Sequence, residues 1–155
     1  MAIDIAQAAI EELHKNHSQP NLKFLVHDFT NLTSPISKDL PAQFGIIYSR
    51  FTLHAISKAA SSRSLKWAFE NLKNGGYLLI EVRSVKDKLF GVGTPVEGEP
   101  DAYISTHYRR FVRREQIEQE LKDLGFSIEN IIEQDNLAVY KDDNPVVIRI
   151  HARKP

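Results

Sequence analysis

The sequence predicts a single α/β domain built on a mostly parallel sheet. Short apolar runs typical of strands buried on both faces recur along the chain, and segments with the apolar spacing of a helix alternate with them. The runs are Lys23–Val26, Phe44–Tyr48 and Tyr77–Val82. The chain has 155 residues, which is enough for one hydrophobic core, so we expect residues 1–155 to form one domain.

The composition excludes several classes of protein and site. The chain has no cysteine, so disulfides, thiolate metal sites and cysteine nucleophiles are excluded. Its 20 Lys and Arg residues balance 20 Asp and Glu residues, which argues against nucleic-acid binding by bulk charge. No apolar run approaches the ~20 residues of a membrane span, and the N-terminus lacks the pattern of a secretory signal. We expect a cytoplasmic protein without a membrane or nucleic-acid partner.

The first part of the chain predicts a strand, a helix and a second strand. The short apolar segment Ala2–Ile5 precedes a helix whose apolar face is formed by residues at i, i+3, i+4 and i+7 within Ala6–Leu13. The turn-forming segment His17–Asn21 ends that helix before the strand at Lys23–Val26. The prolines in Asn31–Gln43 predict a loop there.

Two further helices and a long loop are predicted between the central strand and the C-terminal segment. Helical spacing covers Ser61–Lys73, and we expect Asn74–Gly76 to stop that helix. The glycines and prolines of Ser84–Thr106 predict a long irregular loop, which in a compact domain is usually functional or disordered. A third helix, Arg114–Leu124, is stopped by Gly125.

Two late segments predict an antiparallel pair of strands at the end of the chain. The segments Ser127–Glu133 and Pro145–Ala152 both have strand character. The turn-forming residues Asp142–Pro145 come just before the second segment. The sheet is therefore expected to be parallel in its first part and antiparallel at its end.

The segment Phe44–Ile56 predicts the position of a functional site. It begins as a buried strand and continues into polar, aromatic and basic residues, with the sequence FGIIYSRFTLHAI. Ligands of open α/β sheets bind just beyond the carboxyl ends of such strands. His54 lies there and has two interpretations, a packed core histidine or a general base at neutral pH.

The order of these segments resembles that of class I S-adenosylmethionine-dependent methyltransferases. The resemblance runs from Ile3 to about Lys154 and rests on IDI, FLVHDFTNL, FGIIYSRFTLHAI, LKNGGYLLIEVRS and the late pair after LKDLGF. It implies a Rossmann-like sheet with helices on both faces and S-adenosylmethionine as cofactor. It also implies methyl transfer to a small molecule, which we expect to be anionic or carbohydrate-like.

The resemblance also assigns residues to the cofactor. Asp4 would bind the ribose hydroxyls, since a carboxylate accepts two hydrogen bonds from a vicinal diol. Asp28 would bind the adenine amine. The complete set of cofactor candidates is Asp4, Ile5, Asp28, Phe29, Ser49, Arg50 and Phe51. From the residues alone, Asp4 also fits a helix cap or an NAD-binding fold, and Asp28 also fits a turn.

Further residues are candidates for catalysis and substrate binding. His54 is the first choice of general base for a hydroxyl acceptor, and His107 is the second. Guanidinium groups match phosphate and carboxylate, so Arg83, Arg109 and Arg110 would hold an anionic group, with the long loop closing over the site. Glu81 and Tyr108 complete the substrate candidates. The alternatives are a Glu81–Arg83 pair and a solvated basic face. No metal site is predicted.

The resemblance fails at the N-terminus, where the family has a first strand and a glycine-rich loop. The sequence begins at Met1–Asp4, which matches the second strand. We therefore expect an N-terminally truncated domain, with weakened cofactor binding, whose second and fourth strands lack the partner between them. Direct pairing of those strands, a homodimer or a partner chain would cover the edges. The alternative function is a non-catalytic methyltransferase-like subunit that needs a partner to complete its sheet.

Overall fold

The computed structural model describes residues 1–31 and 43–155. The predicted loop Asn31–Gln43 lies almost entirely outside these residues. The elements in chain order are β1 (Ala2–Asp4), α1 (Gln7–Asn16), β2 (Phe24–Val26), a 3-10 turn (Phe29–Asn31), β3 (Phe44–Arg50), α2 (Lys58–Asn71), β4 (Leu72–Arg83), β5 (Thr94–Pro95), β6 (Ala102–Ile104), β7 (Tyr108–Arg110), α3 (Arg114–Asp123), β8 (Ser127–Gln134) and β9 (Val147–Arg153).

The described strands form three sheets. β1 and β2 pair in parallel as a two-stranded sheet, and the main sheet has the order β3-β4-β9-β8. In the main sheet β3 and β4 are parallel, while β9 is antiparallel to both β4 and β8. The mixed α/β architecture and the late antiparallel pair are therefore confirmed. Direct pairing between β1 and β3, one of the expected ways to close the sheet, is not found among the described residues.

The core lies on one face of the main sheet. Leu78, Ile80 and Val82 of β4 are in register with apolar residues of β9, and all are almost fully buried. Residues from both α2 and α3 pack into the same cluster, among them Leu65 and Leu121. Burying such side chains contributes about 1.5–3 kcal/mol each, so this layer holds the carboxyl ends of β3 and β4 in place.

The boundary between α2 and β4 differs from the prediction. Ser57 caps α2 by accepting a hydrogen bond from the Ala60 N–H at 3.2 Å, so the helix starts before the predicted Ser61. The predicted stop at Asn74–Gly76 is wrong, because α2 ends at Asn71 and β4 begins at Leu72. Gly76 is needed for close packing in the strand, since a Cβ there would lie 2.8 Å from the Lys73 carbonyl oxygen.

The segment Ser84–Thr106 is more regular than predicted. It contains β5 and β6, which pair with β7 in a three-stranded antiparallel sheet. Phe90 packs edge-on against Tyr103 and Phe111, with ring centroids 5.6 and 5.5 Å apart. The Arg110 N–H donates to the carbonyl of His54 at 2.8 Å. This small sheet is therefore attached to the loop that follows β3. None of the described helices is long and apolar enough to cross a membrane.

Candidate functional site

Phe51 has a strained backbone at the carboxyl end of β3. Its φ is 56°, in the left-handed region that a bulky side chain rarely adopts. The strain is held by neighbours, because the Phe51 N–H donates to the Glu81 carbonyl at 2.8 Å and the ring packs against His54 with centroids 5.3 Å apart. Such strain tends to occur at functional sites, which supports the predicted position of the site.

His54 is buried among cations. Its side chain lies in the core, where Nδ1 accepts a hydrogen bond from the Arg83 N–H at 3.4 Å. Burial, and then the charges of Arg83, Arg109, Arg110 and His107, lower the pKa of His54 to about 3. A neutral imidazole that accepts at Nδ1 carries its proton on Nε2. These contacts do not favour His54 as a general base, and its role in catalysis stays a prediction.

The Arg83 and Arg110 guanidinium groups already have protein partners. Arg83 is 7% exposed and pairs with Asp87 at 3.0 Å and with Asp143. Arg110 donates to the carbonyls of Leu53, at 2.8 Å, and Ile56, at 3.3 Å. Arg83 therefore connects the end of β4 to Asp87 and to Asp143, and Arg110 connects β7 to the loop after β3. These contacts leave little of either group for an anionic ligand.

Arg109 differs from both. It forms no ion pair within the described part of the chain, and its buried Nε has no hydrogen-bond partner there. Its Nη2 donates to Nε2 of His107 at 2.8 Å, so that His107 nitrogen is occupied as an acceptor. Burial and the nearby Arg83 lower the pKa of Arg109. Arg109 is thus the predicted anion-binding residue with donor capacity to spare.

Glu81 lies between two arginines on the face of the sheet opposite the core. Its carboxylate is 2% exposed and accepts hydrogen bonds from Arg50 of β3, at 3.0 Å, and from Arg149 of β9. The three residues are register partners on adjacent strands. The alternative pairing of Glu81 with Arg83 is not found, because the Arg83 guanidinium forms ion pairs with Asp87 and Asp143 instead. Arg149 and Asp87 are residues that sequence reasoning missed.

Tyr108 is half-buried at the start of β7. Its hydroxyl donates to the Ile56 carbonyl at 3.4 Å and lies 3.5 Å from a Glu99 carboxylate oxygen. Burial raises the pKa of Tyr108, and Glu99 adds to that effect. Tyr108 therefore stays a neutral hydroxyl that connects β7 to the loop after β3.

Asp4 and Asp28 lie close together at the carboxyl ends of β1 and β2. The Asp4 carbonyl accepts a hydrogen bond from the N–H of His27, the neighbour of Asp28, at 2.9 Å. Oδ1 of Asp4 accepts from the Ala6 N–H at 2.8 Å, and Oδ1 of Asp28 accepts from Thr30 N–H and Oγ1 at 2.8 and 2.7 Å. The Thr30 bonds lower the pKa of Asp28. Each carboxylate thus has a local turn role. Ile5, the cofactor candidate next to Asp4, is 63% exposed.

A cleft of about 420 Å³ separates β1 from β3. Residues of β1 and β3 form its walls, and Phe29, Ser64 and Trp67 also line it. We call it the β1–β3 cleft. It brings together two predicted cofactor residues, Phe29 and Ser49, while Ser49 also hydrogen-bonds to Thr52. Trp67 lines the cleft although sequence reasoning did not single it out. The described residues contain no group of His, Asp or Glu side chains arranged to hold a metal.

Comparison with solved structures identifies the architecture. A putative S-adenosylmethionine-dependent methyltransferase from Listeria monocytogenes superposes with a TM-score of 0.75 at 17% identity, covering 99% of this chain and 78% of that chain. A methyltransferase from Methanosarcina mazei gives 0.78 at 19%, covering 98% and 80%. This is the class I methyltransferase fold. No protein-family model and no curated protein sequence matches the chain.

The methyltransferase fold is shared with an enzyme crystallised with ligands. The 1,6-didemethyltoxoflavin-N1-methyltransferase of Burkholderia thailandensis, solved with 1,6-didemethyltoxoflavin and S-adenosylhomocysteine, has a TM-score of 0.66 at 14% identity, covering 98% of this chain and 59% of that chain. Identities this low establish the methyltransferase fold alone. The roles of the individual site residues therefore stay predictions.

Proposed function

We propose that this chain binds S-adenosylmethionine and transfers its methyl group to a small anionic or carbohydrate-like molecule. The observation that carries the proposal is the methyltransferase fold over 98–99% of the chain. Fold alone does not imply activity, so the proposal also relies on the residues at the strand ends. Their grouping at the carboxyl ends of β1, β2, β3 and β4 matches where ligands bind in open α/β sheets.

The cofactor candidates divide into two groups. The free carboxylate oxygens of Asp4 and Asp28 would accept hydrogen bonds from the ribose hydroxyls and the adenine amine. Ile5 and Phe29 would pack against the adenosine, while Ser49, Arg50 and Phe51 would border the methionine end. S-adenosylmethionine supplies the electrophilic methyl group, and the role of the chain is to hold the acceptor atom in line with it.

Arg109 is our principal candidate for binding an anionic group of the substrate. Its Nε has no hydrogen-bond partner, and it forms no ion pair among the described residues, since Asp87 and Asp143 act on its charge without contacting it. Arg83, Arg110, Glu81 and Tyr108 would shape the site around it. His54 and His107 remain the candidate bases, although each has an acceptor nitrogen already engaged. An acceptor atom that is nucleophilic without deprotonation would fit such a site best.

The first test is calorimetric titration of the chain with S-adenosylhomocysteine, the product. We expect saturable binding that Asp4→Asn and Asp28→Asn each weaken at least tenfold. Asp142→Asn, an exposed turn residue, is the matched control and should bind as the unaltered chain does. A folded chain that shows no saturable binding would contradict the proposal.

The substrate class needs a separate measurement. S-adenosylhomocysteine formation can be followed over a panel of small phosphates, carboxylates and sugar acids, beside neutral analogues of each. We expect turnover with an anionic member, and a KM raised more than tenfold by Arg109→Gln with a smaller change in kcat. Equal turnover of a neutral analogue would remove the anionic specificity while leaving methyl transfer intact.

A second candidate function is a non-catalytic subunit that pairs with another chain. The observation favouring it is the open edge of β3, which has no strand partner among the described residues on the side away from β4. Such a subunit would show no S-adenosylhomocysteine formation with any substrate. Cofactor binding by the isolated chain, in the titration above, favours the enzyme.

A further inference from the structure

We propose that His107 occupies the place on Arg109 that an oxyanion of the substrate takes, and that the displaced His107 becomes protonated and binds the same anion as a second cation. The oxyanion is a group with two oxygens on one atom, as in a phosphate or a carboxylate. The inference deepens the proposed role of Arg109 in binding an anionic substrate and rests on it.

Two hydrogen bonds fix the protonation state of His107. A guanidinium group has donors and no acceptor, so Nη2 of Arg109 donates to Nε2 of His107 across 2.8 Å. Nε2 therefore carries no proton. The proton of the neutral imidazole is on Nδ1, which lies 2.9 Å from Oγ1 of Thr106 and donates to it. A protonated imidazole has a donor on each nitrogen, so it cannot keep the contact with Arg109.

One edge of the Arg109 guanidinium is only half used. The Nε and Nη2 groups of an arginine form a fork that matches the two oxygens of a carboxylate or phosphate. Arg113 shows the complete arrangement in this chain, since its Nε and Nη2 donate to the two carboxylate oxygens of Asp101 at 2.8 and 2.7 Å. On Arg109, His107 takes Nη2 alone, and Nε is buried without a hydrogen-bond partner among the described residues. One nitrogen atom cannot satisfy both donors, whereas an oxyanion can.

His107 lies where it can move away from Arg109. It is exposed in the bend between β6 and β7, and its neighbours Ser105 and Thr106 are exposed as well. Arg109 belongs to β7 and is in register with Tyr103 of β6, whose ring packs edge-on against Phe90. The imidazole can therefore leave while the guanidinium stays beside its strand, and its departure frees the Nη2 donor for the anion.

The charges around Arg109 explain why a second cation is needed. Arg83 adds a positive charge, and Asp87 and Asp143 add two negative charges, each acting on Arg109 from a distance. Together these three side chains are net negative, so they oppose an incoming anion. A protonated His107 offsets that charge and adds a charge-assisted hydrogen bond to the anion.

The proton is expected to bind to His107 rather than to its neighbours. Burial, and then the nearby cations, lower the pKa of His54, on the loop after β3, to about 3. Burial raises the pKa of Tyr108, which stays a neutral hydroxyl. An exposed imidazole is the side chain whose charge changes near neutral pH. The complex with the anion then holds one proton more than the free chain, so anion affinity should increase as the pH falls.

The test uses sulfate, an oxyanion that keeps its charge from pH 8 to pH 6, and follows the Nε–H resonance of Arg109 by NMR. Arg109→Lys identifies that resonance by its loss. At constant ionic strength we expect a saturable shift, with a Kd that decreases at least about fivefold from pH 8 to pH 6. The Nε–H of Arg113, already bonded to Asp101, is the internal control. No saturable shift at Arg109, or an equal shift at Arg113, overturns the proposal.

Two substitutions separate His107 from the other imidazoles. His107→Gln keeps an acceptor for Nη2 but cannot be protonated, so sulfate affinity should lose its pH dependence. His151→Gln replaces an exposed imidazole of β9 and should keep that dependence. A pH dependence that survives in His107→Gln overturns the proposal but leaves Arg109 as the anion-binding residue. None of these titrations uses S-adenosylhomocysteine, so their failure is distinguishable from failure of methyl transfer, and the panel of phosphates and carboxylates distinguishes the two kinds of anion.

Discussion

The main-chain N–H of Arg83 donates to Nδ1 of His54 across 3.4 Å, which ties the end of β4 to the loop after β3. The imidazole is buried, and its neighbours are cationic. Protonation of His54 would place a further positive charge in this cluster and would remove its acceptor nitrogen. The folded state therefore depends on His54 being neutral.

This dependence predicts an acid-sensitive fold. The pKa of His54 is lowered from 6.5 to about 3, so between those values the unfolded chain binds a proton that the folded chain does not. The contribution is fully present above pH 6.5 and is lost as the pH falls toward 3, at most about 5 kcal/mol. Urea unfolding from pH 7 to 4 should show a shallower pH dependence for His54→Leu than for His151→Leu, which removes an exposed imidazole. Equal slopes would contradict the assignment.

Phe51 predicts an unusual order of stability for two small substitutions. Its φ of 56° is a left-handed backbone conformation, which is sterically unfavourable for alanine because of its Cβ and is not unfavourable for glycine. We expect Phe51→Gly to be more stable than Phe51→Ala by about 1 kcal/mol in urea unfolding. At Lys66, inside α2, the order should be reversed, since alanine is the better helix former. An alanine variant of Phe51 as stable as the glycine variant would show that the position is not strained.

Glu81 predicts a stability loss from removal of one charge. Glu81→Gln keeps the shape of the side chain but weakens its bonds to Arg50 and Arg149, and we expect a loss of about 1–3 kcal/mol in the free energy of unfolding. Glu70→Gln is the control. The Lys66–Glu70 pair is exposed, so we expect this variant to lower the free energy of unfolding by less than about 0.5 kcal/mol. Similar losses for the two variants would mean that burial of Glu81 adds nothing.

Adding a side chain at Gly125 is expected to destabilise the fold. Its φ is 101°, and a Cβ would lie 2.9 Å from Cζ of Phe69, so we expect Gly125→Ala to destabilise by about 1–3 kcal/mol. At Gly45 a Cβ would meet no atom within 4 Å, and Gly45→Ala should change stability by less than about 0.5 kcal/mol. Thermal unfolding of both variants gives the comparison. An unchanged stability of Gly125→Ala would show that the Phe69 ring can move aside without destabilising the fold.

The sequence predicted the elements whose signal is local. Helices α1 and α3 and strands β2, β3, β8 and β9 have clear apolar periods, and the structure confirms them within a few residues. The sheet formed by β5, β6 and β7 was missed because its strands are two or three residues long and lie among glycines and prolines. The start of β4 was missed because Gly75 and Gly76 usually end a helix, whereas here they follow a helix that has already ended.

The site was predicted less completely than the fold. Strand ends could be placed from the apolar runs, which brought Phe51, His54 and Arg83 into one region. Partners distant in sequence could not be predicted, since no spacing rule connects Arg83 with Asp143 or Glu81 with Arg149. Those ion pairs, and the carbonyls of Leu53 and Ile56 that accept from Arg110, decide which cations are engaged. Sequence reasoning therefore could not distinguish Arg109 from Arg83 and Arg110.

The separate β1–β2 sheet has a consequence for how the molecule opens. Among residues 1–31, Ile10 is the only buried residue, and the central core cluster begins at Leu53. Amide protons of β1 and β2 should therefore exchange with solvent through a local opening of low free energy, while those of β4 and β9 exchange only in global unfolding. Asp4 and Asp28, which follow from the carboxyl ends of these two strands, would then leave their ordered positions while the main sheet is still folded.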